Sequence, residues 1–381
     1  MPLLKNILNQ SPRWVFPVLI MLLAVPLALG FQYKAALPGY QYHFPQDHAS
    51  HEQYKTEWWY YTGHLQTKAG QKYGYELTFF RIGNDPQLRQ ATDNKQNPWN
   101  TNNLYATHFA LSDEKNQAFH YSEKLNRAGL NLAGALGDHY YVWNELWLAE
   151  LLGNQMVLRA NSPDGKQEIH LLLSNEKPPV IHGKGGISQK ASCVGCASHY
   201  YSLTRLKTEG LLLIDGKAEP VTGLSWMDHE FGSNQLSREQ TGWDWFSIQL
   251  NDKTEVMLYL LRHENGRIDP HSSGTIVDAK GNSRHLTLND FKVIESGKHW
   301  TSPASQGTYP MGWRIAIPSE KLDLTITPSF ENQELFTKGS TKVAYWEGSS
   351  KATGQKAGKA IAGQAYVEMT GYAKASVKGK L

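Results

Sequence analysis

WWYYTGHL, residues 58–65, returns as WDWFSIQL at residues 243–250. Both stretches read Trp, any residue, two aromatics, a small hydroxyl residue, any residue, a polar residue and Leu. A lysine-bearing turn follows each, at Lys68 and Lys253, and the next strand-like segment ends in arginine, at Arg81 and Arg262. A repeat on this scale predicts two related domains in tandem. The boundary is expected in the polar stretch GSNQLSREQ, residues 232–240, which gives domains of 31–235 and 236–381.

The segments around the first copy extend the pattern. YGYELTFFRI (73–82), YATHFALSD (105–113), NQMVLRA (154–160) and QEIHLLLS (167–174) are short and rich in aromatic or branched residues. Glycine and Asn/Asp turns separate them, which is the signature of successive β-strands. The continuous apolar run in EIHLLLS suits a strand buried on both faces or a barrel wall. The fold class read here is therefore all-β. HYYVWNELWLAELL (139–152) reads either as a helix or as a strand plus a turn. Residues 31–56 read as irregular, and residues 82–104 as a long polar insertion of the kind that is functional or flexible.

Composition narrows the function. The chain has 381 residues, a net charge of +3, and 12 Trp, 19 Tyr and 33 Gly. No basic block interleaved with aromatics occurs, so nucleic acid is not an expected partner. The aromatics suit either a β core or a pocket for a large apolar ligand. Lys5 and Arg13 precede the apolar run of residues 14–30, with Ala28 and Gly30 placed for a cut after residue 30. This predicts export, to the periplasm or beyond, with residues 1–30 either removed or kept as an inner-membrane anchor. Membrane contact is expected only there. Cys193 and Cys196 are the two cysteines. In an exported chain they are expected to pair as a local disulfide.

GLSWMDHEFGS, residues 223–233, carries the densest chemistry. In a strand, Trp226, Asp228 and Glu230 face one way and Met227 and His229 the other. Two neighbouring carboxyls beside an indole push one proton affinity up. Such an acid can protonate an alkene, and the aromatic face then steadies the cation. The competing structural reading gives Asp228 and Glu230 turn hydrogen bonds and an ion pair with Arg238 or Arg205. Asp228, His229 and Glu230 would point apart, so no metal site is expected. ASHYYSLTRL (197–206) puts His199 and Tyr201 on one face, with His199 a candidate base. TEWWYYTGHL (56–65) puts Glu57, Trp59 and Tyr61 on one face and Trp58, Tyr60 and His64 on the other. Glu57 needs a partner, from Arg81 or Lys55. Glu57, Trp59, Tyr61 and His64, with Trp243 and Trp245 of the second copy, are the expected ligand-lining residues. There is no G-x-S-x-G elbow for a serine hydrolase.

Taken in order, EWWYYTGHL, ASHYYSLTRL, GLSWMDHEFGS, GWDWFSIQL, VAYWEGS and AYVEMTGY resemble the AttH proteins. These are exported bacterial proteins, often labelled secreted hydrolases, and relatives of the carotenoid 1,2-hydratases. The resemblance runs from about residue 40 to the C-terminus. It implies two lipocalin-like β-barrel domains and an association with permeases of ABC transporters. It also implies addition of water to a carbon–carbon double bond without a cofactor. The hydratase pairs His-x-Trp and Tyr-x-Asp fall on His199 with Tyr201 and on Trp226 with Asp228, so the two aromatics are exchanged in kind. Under this reading the ligand is a long apolar or isoprenoid/lipid-like molecule. Asp228 is the general acid, tuned by Glu230. His199 is the base or orients water, and Trp226 and Tyr201 are cation-stabilising walls. The alternatives are a non-catalytic carrier, an accessory of an ABC transporter, or a hydrolase.

Overall fold

The computed structural model describes residues 33–84, 103–234 and 236–373. The apolar run of residues 14–30 and most of the polar insertion lie outside the described residues. Among the described residues, no helix is long and apolar enough to cross a membrane.

Strand Thr56–Thr67, which contains the first aromatic repeat, is central to a 13-stranded antiparallel sheet. On one side of it lie Lys72–Gly83, Asn103–Asp113 and Ala118–Arg127. On the other lie Lys217–Asn234, Ala197–Ile214 and Gln167–Asn175. Strand Gln240–Leu250, which contains the second repeat, has the same place in a 10-stranded sheet. Its neighbours are Glu255–His263, Ser273–Val277 and Ser283–Thr287 on one side, and Lys359–Thr370, Ala344–Lys356 and Leu322–Pro328 on the other. The repeated sequence thus marks a repeated topology. The first sheet ends at Asn234 and the second begins at Gln240.

The first sheet curls into a nearly closed barrel. Side chains rather than a backbone ladder join its edges: Asn126 donates to Asn144 at 2.7 Å and to Glu145 at 3.0 Å. The second sheet is a half-barrel. The concave face of each is packed with its own apolar cluster, including Trp59, Leu77 and Leu171 in the first and Phe246, Trp313 and Ile326 in the second. A third cluster fills the seam between the sheets. Tyr60, Tyr200 and Trp226 come from the first sheet, and Trp245, Tyr259 and Tyr366 from the second.

Two local readings are corrected or sharpened. Residues 139–152 form no helix: Tyr141–Asn144 and Trp147–Leu152 pair as a hairpin. Glu145 takes a positive φ of 57° in the turn, which a helix does not admit. Alternate burial of Val142, Trp147 and Ala149 anchors the hairpin to the barrel core. QEIHLLLS is a one-sided barrel wall, with Ile169, Leu171 and Leu173 buried and Leu172 exposed.

Candidate active site

Strand alternation decides which side chains meet. Along Lys217–Asn234, Trp226 joins the seam cluster, whereas Met227 and Phe231 join clusters on the barrel side. Along Ala197–Ile214, Tyr200 joins the seam and Tyr201 the barrel core. The structure therefore does not bring His199 and Tyr201 to Asp228. They are on the other face of the same sheet, because positions 199 and 201 are odd in a register that pairs Ser202 with Asp228. Trp226 does stay with Asp228, and the companions of Asp228 from the neighbouring strand are Tyr200, which the His-x-Trp spacing skips, and Ser202.

On the seam, Asp228 is 4 % exposed. Tyr200 donates to its Oδ2 at 2.6 Å, and Trp226 Nε1 donates to its Oδ1 at 2.6 Å. Ser202 also donates to Oδ1. The hydroxyls of two of these donors have further partners. Trp245 Nε1 donates to the Tyr200 hydroxyl at 3.1 Å, and His182 Nε2 lies 2.6 Å from the Ser202 hydroxyl. Burial pushes the Asp228 carboxyl up, against these three hydrogen bonds, to about 7. Glu230 does not use Arg205 or Arg238 in this structure. It accepts from Ser198 and pairs with Lys190 at 3.1 Å. Arg205 instead reaches Glu255 of the second sheet at 2.5 Å.

Lys190 lies 4.2 Å from the Tyr259 ring centroid and 5.1 Å from that of Tyr200. Tyr259 accepts a hydrogen bond from Ser273 at 2.8 Å. Ser273 lines a surface cleft of about 290 Å³, with Lys184, Gln189, His271 and His285. A continuous run of polar contacts therefore leads from this cleft to the acids of the seam.

The other end of the seam carries acids that the sequence reading did not single out. Glu76 and Glu347 are fully buried. Glu347 Oε2 accepts from Tyr60 at 2.9 Å, while Glu347 Oε1 and Glu76 Oε2 have no hydrogen-bond partner among the described residues. Burial raises both carboxyls well above the usual range, and the neighbouring acid Glu368 raises them further. Glu368, half-buried, accepts from Trp243 at 2.9 Å and is itself raised by burial. Trp243 and Trp245 thus both serve acids of the seam. His64 belongs here too, with its ring 5.9 Å from that of Tyr366. Burial lowers it to about 4, so it is neutral.

On the barrel face Glu57 is the hub. Burial alone would raise its carboxyl, but the Arg81 charge at 2.9 Å and bonds from His229 and His51 hold it well below the usual range. His229 Nε2 and His51 Nδ1 each lie 2.9 Å from Glu57 Oε1. The network continues through Tyr201 to His229 at 3.0 Å and to His48 at 2.6 Å. Trp59 donates to the His48 carbonyl at 3.0 Å, and Tyr61 meets Tyr140 at 2.5 Å. Glu57 and Trp59 therefore secure segment 43–54 across the barrel, and Tyr61 ties its strand to Tyr140. His199 stacks under Tyr40, ring centroids 4.4 Å apart, and burial lowers its proton affinity. His51, Glu57 and His229 are the grouping among the described residues with metal-ligand spacing, their atoms within 4.8 Å of one another. Those atoms already bond to each other, and Arg81 supplies the positive charge that an ion would bring. Cys193 and Cys196 form a disulfide in the loop before strand Ala197–Ile214.

A two-sheet, lipocalin-like β-protein with buried carboxyls along its seam is the class this fold and site define. The chain belongs to the AttH-like family, whose profile matches residues 35–372. An AttH protein of Nitrosomonas europaea superposes with a TM-score of 0.79 at 29 % identity, over 90 % of this chain and all of that one. Kievitone hydratase of Nectria haematococca shares the fold at a TM-score of 0.67 and 14 % identity, over 90 % of this chain and 96 % of its own. The dehydratase asqC of Emericella nidulans is 24 % identical over 225 residues, which is 57 % of this chain. The chain spans 62 % of the length of that curated relative.

Proposed function

We propose that this protein adds water across a carbon–carbon double bond of a long apolar or isoprenoid-like molecule, or removes water to form one. The reaction needs no redox cofactor and takes place in the seam between the sheets. The observation that carries this reading is Asp228, a buried carboxyl raised to about 7 among the aromatic side chains of Tyr200, Trp226 and Trp245. A group that exchanges its proton near neutral pH, walled by π faces, is suited to making and quenching a carbocation. Membership of a family with hydratase and dehydratase relatives supports the same class of chemistry. The apolar run of residues 14–30 and the disulfide support export to an oxidising compartment.

The test is native mass spectrometry of the protein and its Asp228→Asn variant after incubation with a lipid and isoprenoid extract in isotopically labelled water. The expected result is a ligand that gains or loses one water with the wild type only. A ligand held unchanged by both proteins would replace this reading with a carrier.

A further inference from the structure

The two halves of the seam are copies of one arrangement. Register places Tyr60 opposite Asp228 in the first sheet and Trp245 opposite Glu368 in the second. It places Ser202 opposite Asp228, and Glu347 opposite Glu368. Tyr60 and Trp245 are thus equivalents, as are Asp228 and Glu368, and Ser202 and Glu347. Each central aromatic reaches into the other half: Trp245 to Tyr200, and Tyr60 to Glu347.

The copies differ in where the protons are. Asp228 receives three donors and faces no acceptor. Trp245 donates to the Tyr200 oxygen, which leaves the phenol proton for Asp228, and Ser202 stands between Asp228 and His182. Such a cradle fits a carboxylate. Glu347 receives a single donor, leaves Oε1 bare, and stands directly across the strand pair from Glu368. Two carboxylates paired across neighbouring strands of a buried seam would repel each other unless one holds a proton. Glu347, fully buried where Glu368 is half-buried, holds the proton, and its Oε1 has no hydrogen-bond partner among the described residues.

We propose that Glu347 is the proton donor of the reaction and Asp228 the proton acceptor, an assignment that rests on the hydration reading above. The O–H bond of Glu347 breaks as a C–H bond forms at one alkene carbon, and the π electrons make that bond. The cation left on the adjacent carbon lies against the Tyr60 and Trp245 rings. Water forms a C–O bond there and gives its proton to Asp228. Glu347 ends as carboxylate and Asp228 as acid, and one proton returned through solvent resets the pair. Dehydration is the same path reversed.

The protonation states are tested without substrate, by NMR of the wild-type protein labelled with ¹³C at Asp and Glu carboxyls. Asp228→Asn and Glu347→Gln serve to assign the two signals. The expected result is a protonated Glu347 at neutral pH while Asp228 moves to its carboxylate position. Glu347 ionised at that pH, or Asp228 protonated well above it, overturns the assignment. The labelled-water assay then reads the role. Glu347→Gln is expected to lower turnover roughly 10²–10⁴-fold with the ligand still bound. Wild-type turnover that survives in Glu347→Gln sinks the donor role and leaves hydration standing. A wild type that binds ligand but never exchanges water sinks hydration and the donor role together, whatever the NMR shows.

Discussion

Tyr60 and Trp245 occupy equivalent positions in the two sheets, and they touch each other edge to face, ring centroids 5.2 Å apart and planes at 86°. The internal repeat thus meets itself at one point of the seam. The acid rich in donors, Asp228, is in the half that carries Tyr60, and the acid poor in them, Glu347, is in the half that carries Trp245. Each ring belongs to one half and serves the acid of the other.

Trp245→Phe keeps the ring contact and removes the N–H that holds the Tyr200 hydroxyl. A hydrogen bond of this kind contributes about 0.5–1.5 kcal/mol. The Tyr200 bond to Asp228 then weakens, and the carboxylate loses stabilisation. The Asp228 titration should move upward by roughly 0.4–1 pH unit. Carboxyl NMR reads this directly, and an unmoved titration would show that the indole N–H has no part in tuning Asp228.

Arg81→Ala should be strongly destabilising. It leaves Glu57 fully buried with no permanent cation beside it. Breaking a buried pair from one side costs about 3–5 kcal/mol. Arg81→Ala with Glu57→Gln should recover part of that loss, since the uncompensated charge is gone. Urea denaturation of the three proteins decides this, and equal midpoints for single and double variants would refute the hub role of Glu57.

Stability should fall with rising pH through the seam acids. Asp228 is raised to about 7 when folded, and burial also raises Glu76 and Glu347. Above the usual carboxylate range the unfolded chain has released these protons while the folded chain keeps them. The folded state binds more protons, so each such group removes about 1.4 kcal/mol of stability per pH unit until its folded value is passed. For Asp228 the window runs from the usual aspartate value up to about 7. Buried His48 and His108, both lowered to about 3, act in the opposite sense below the usual histidine value. The difference between wild type and Asp228→Asn isolates the aspartate. That difference in denaturation free energy should shrink from acid toward neutral pH, and a flat difference would contradict a raised Asp228.

Gly348→Ala should be harmful although its backbone is ordinary. A methyl there would stand 1.8 Å from the buried Trp346 ring. Overpacking of this kind costs about 1–3 kcal/mol, and a thermal midpoint equal to wild type would mean that the ring moves freely.

The aromatic repeat was legible in the sequence because a central strand packed on both faces leaves little choice of residue. The faces of 56–65 and 223–233 followed from alternation alone. The pairing of His199 with Asp228 did not follow. It was carried over as a spacing, and spacing along one strand does not report which face a neighbouring strand presents. Ser202 and Tyr200 could have been found only from the register. Glu347 and Glu368 stand in VAYWEGS and AYVEMTGY, and extending the repeat past its first strand would have aligned Glu368 with Asp228. The curl of the first sheet, closed by Asn126, Asn144 and Glu145, has no sequence signal of its own. Those are ordinary surface residue types that meet only after the sheet has wrapped.

In each half the strand that carries the acid is laid down last. Lys217–Asn234 closes the first sheet by inserting between Thr56–Thr67 and Ala197–Ile214, and Lys359–Thr370 does the same between Gln240–Leu250 and Ala344–Lys356. Each insertion pairs segments far apart in the chain, the kind of contact that forms slowly. A nascent chain can therefore build each platform before the strand that completes it is in place. Glu368 enters with the final described strand, so the second half of the seam is complete only once residues 359–370 are in place. A chain stopped short of residue 359 would keep most of its strands and lose that half.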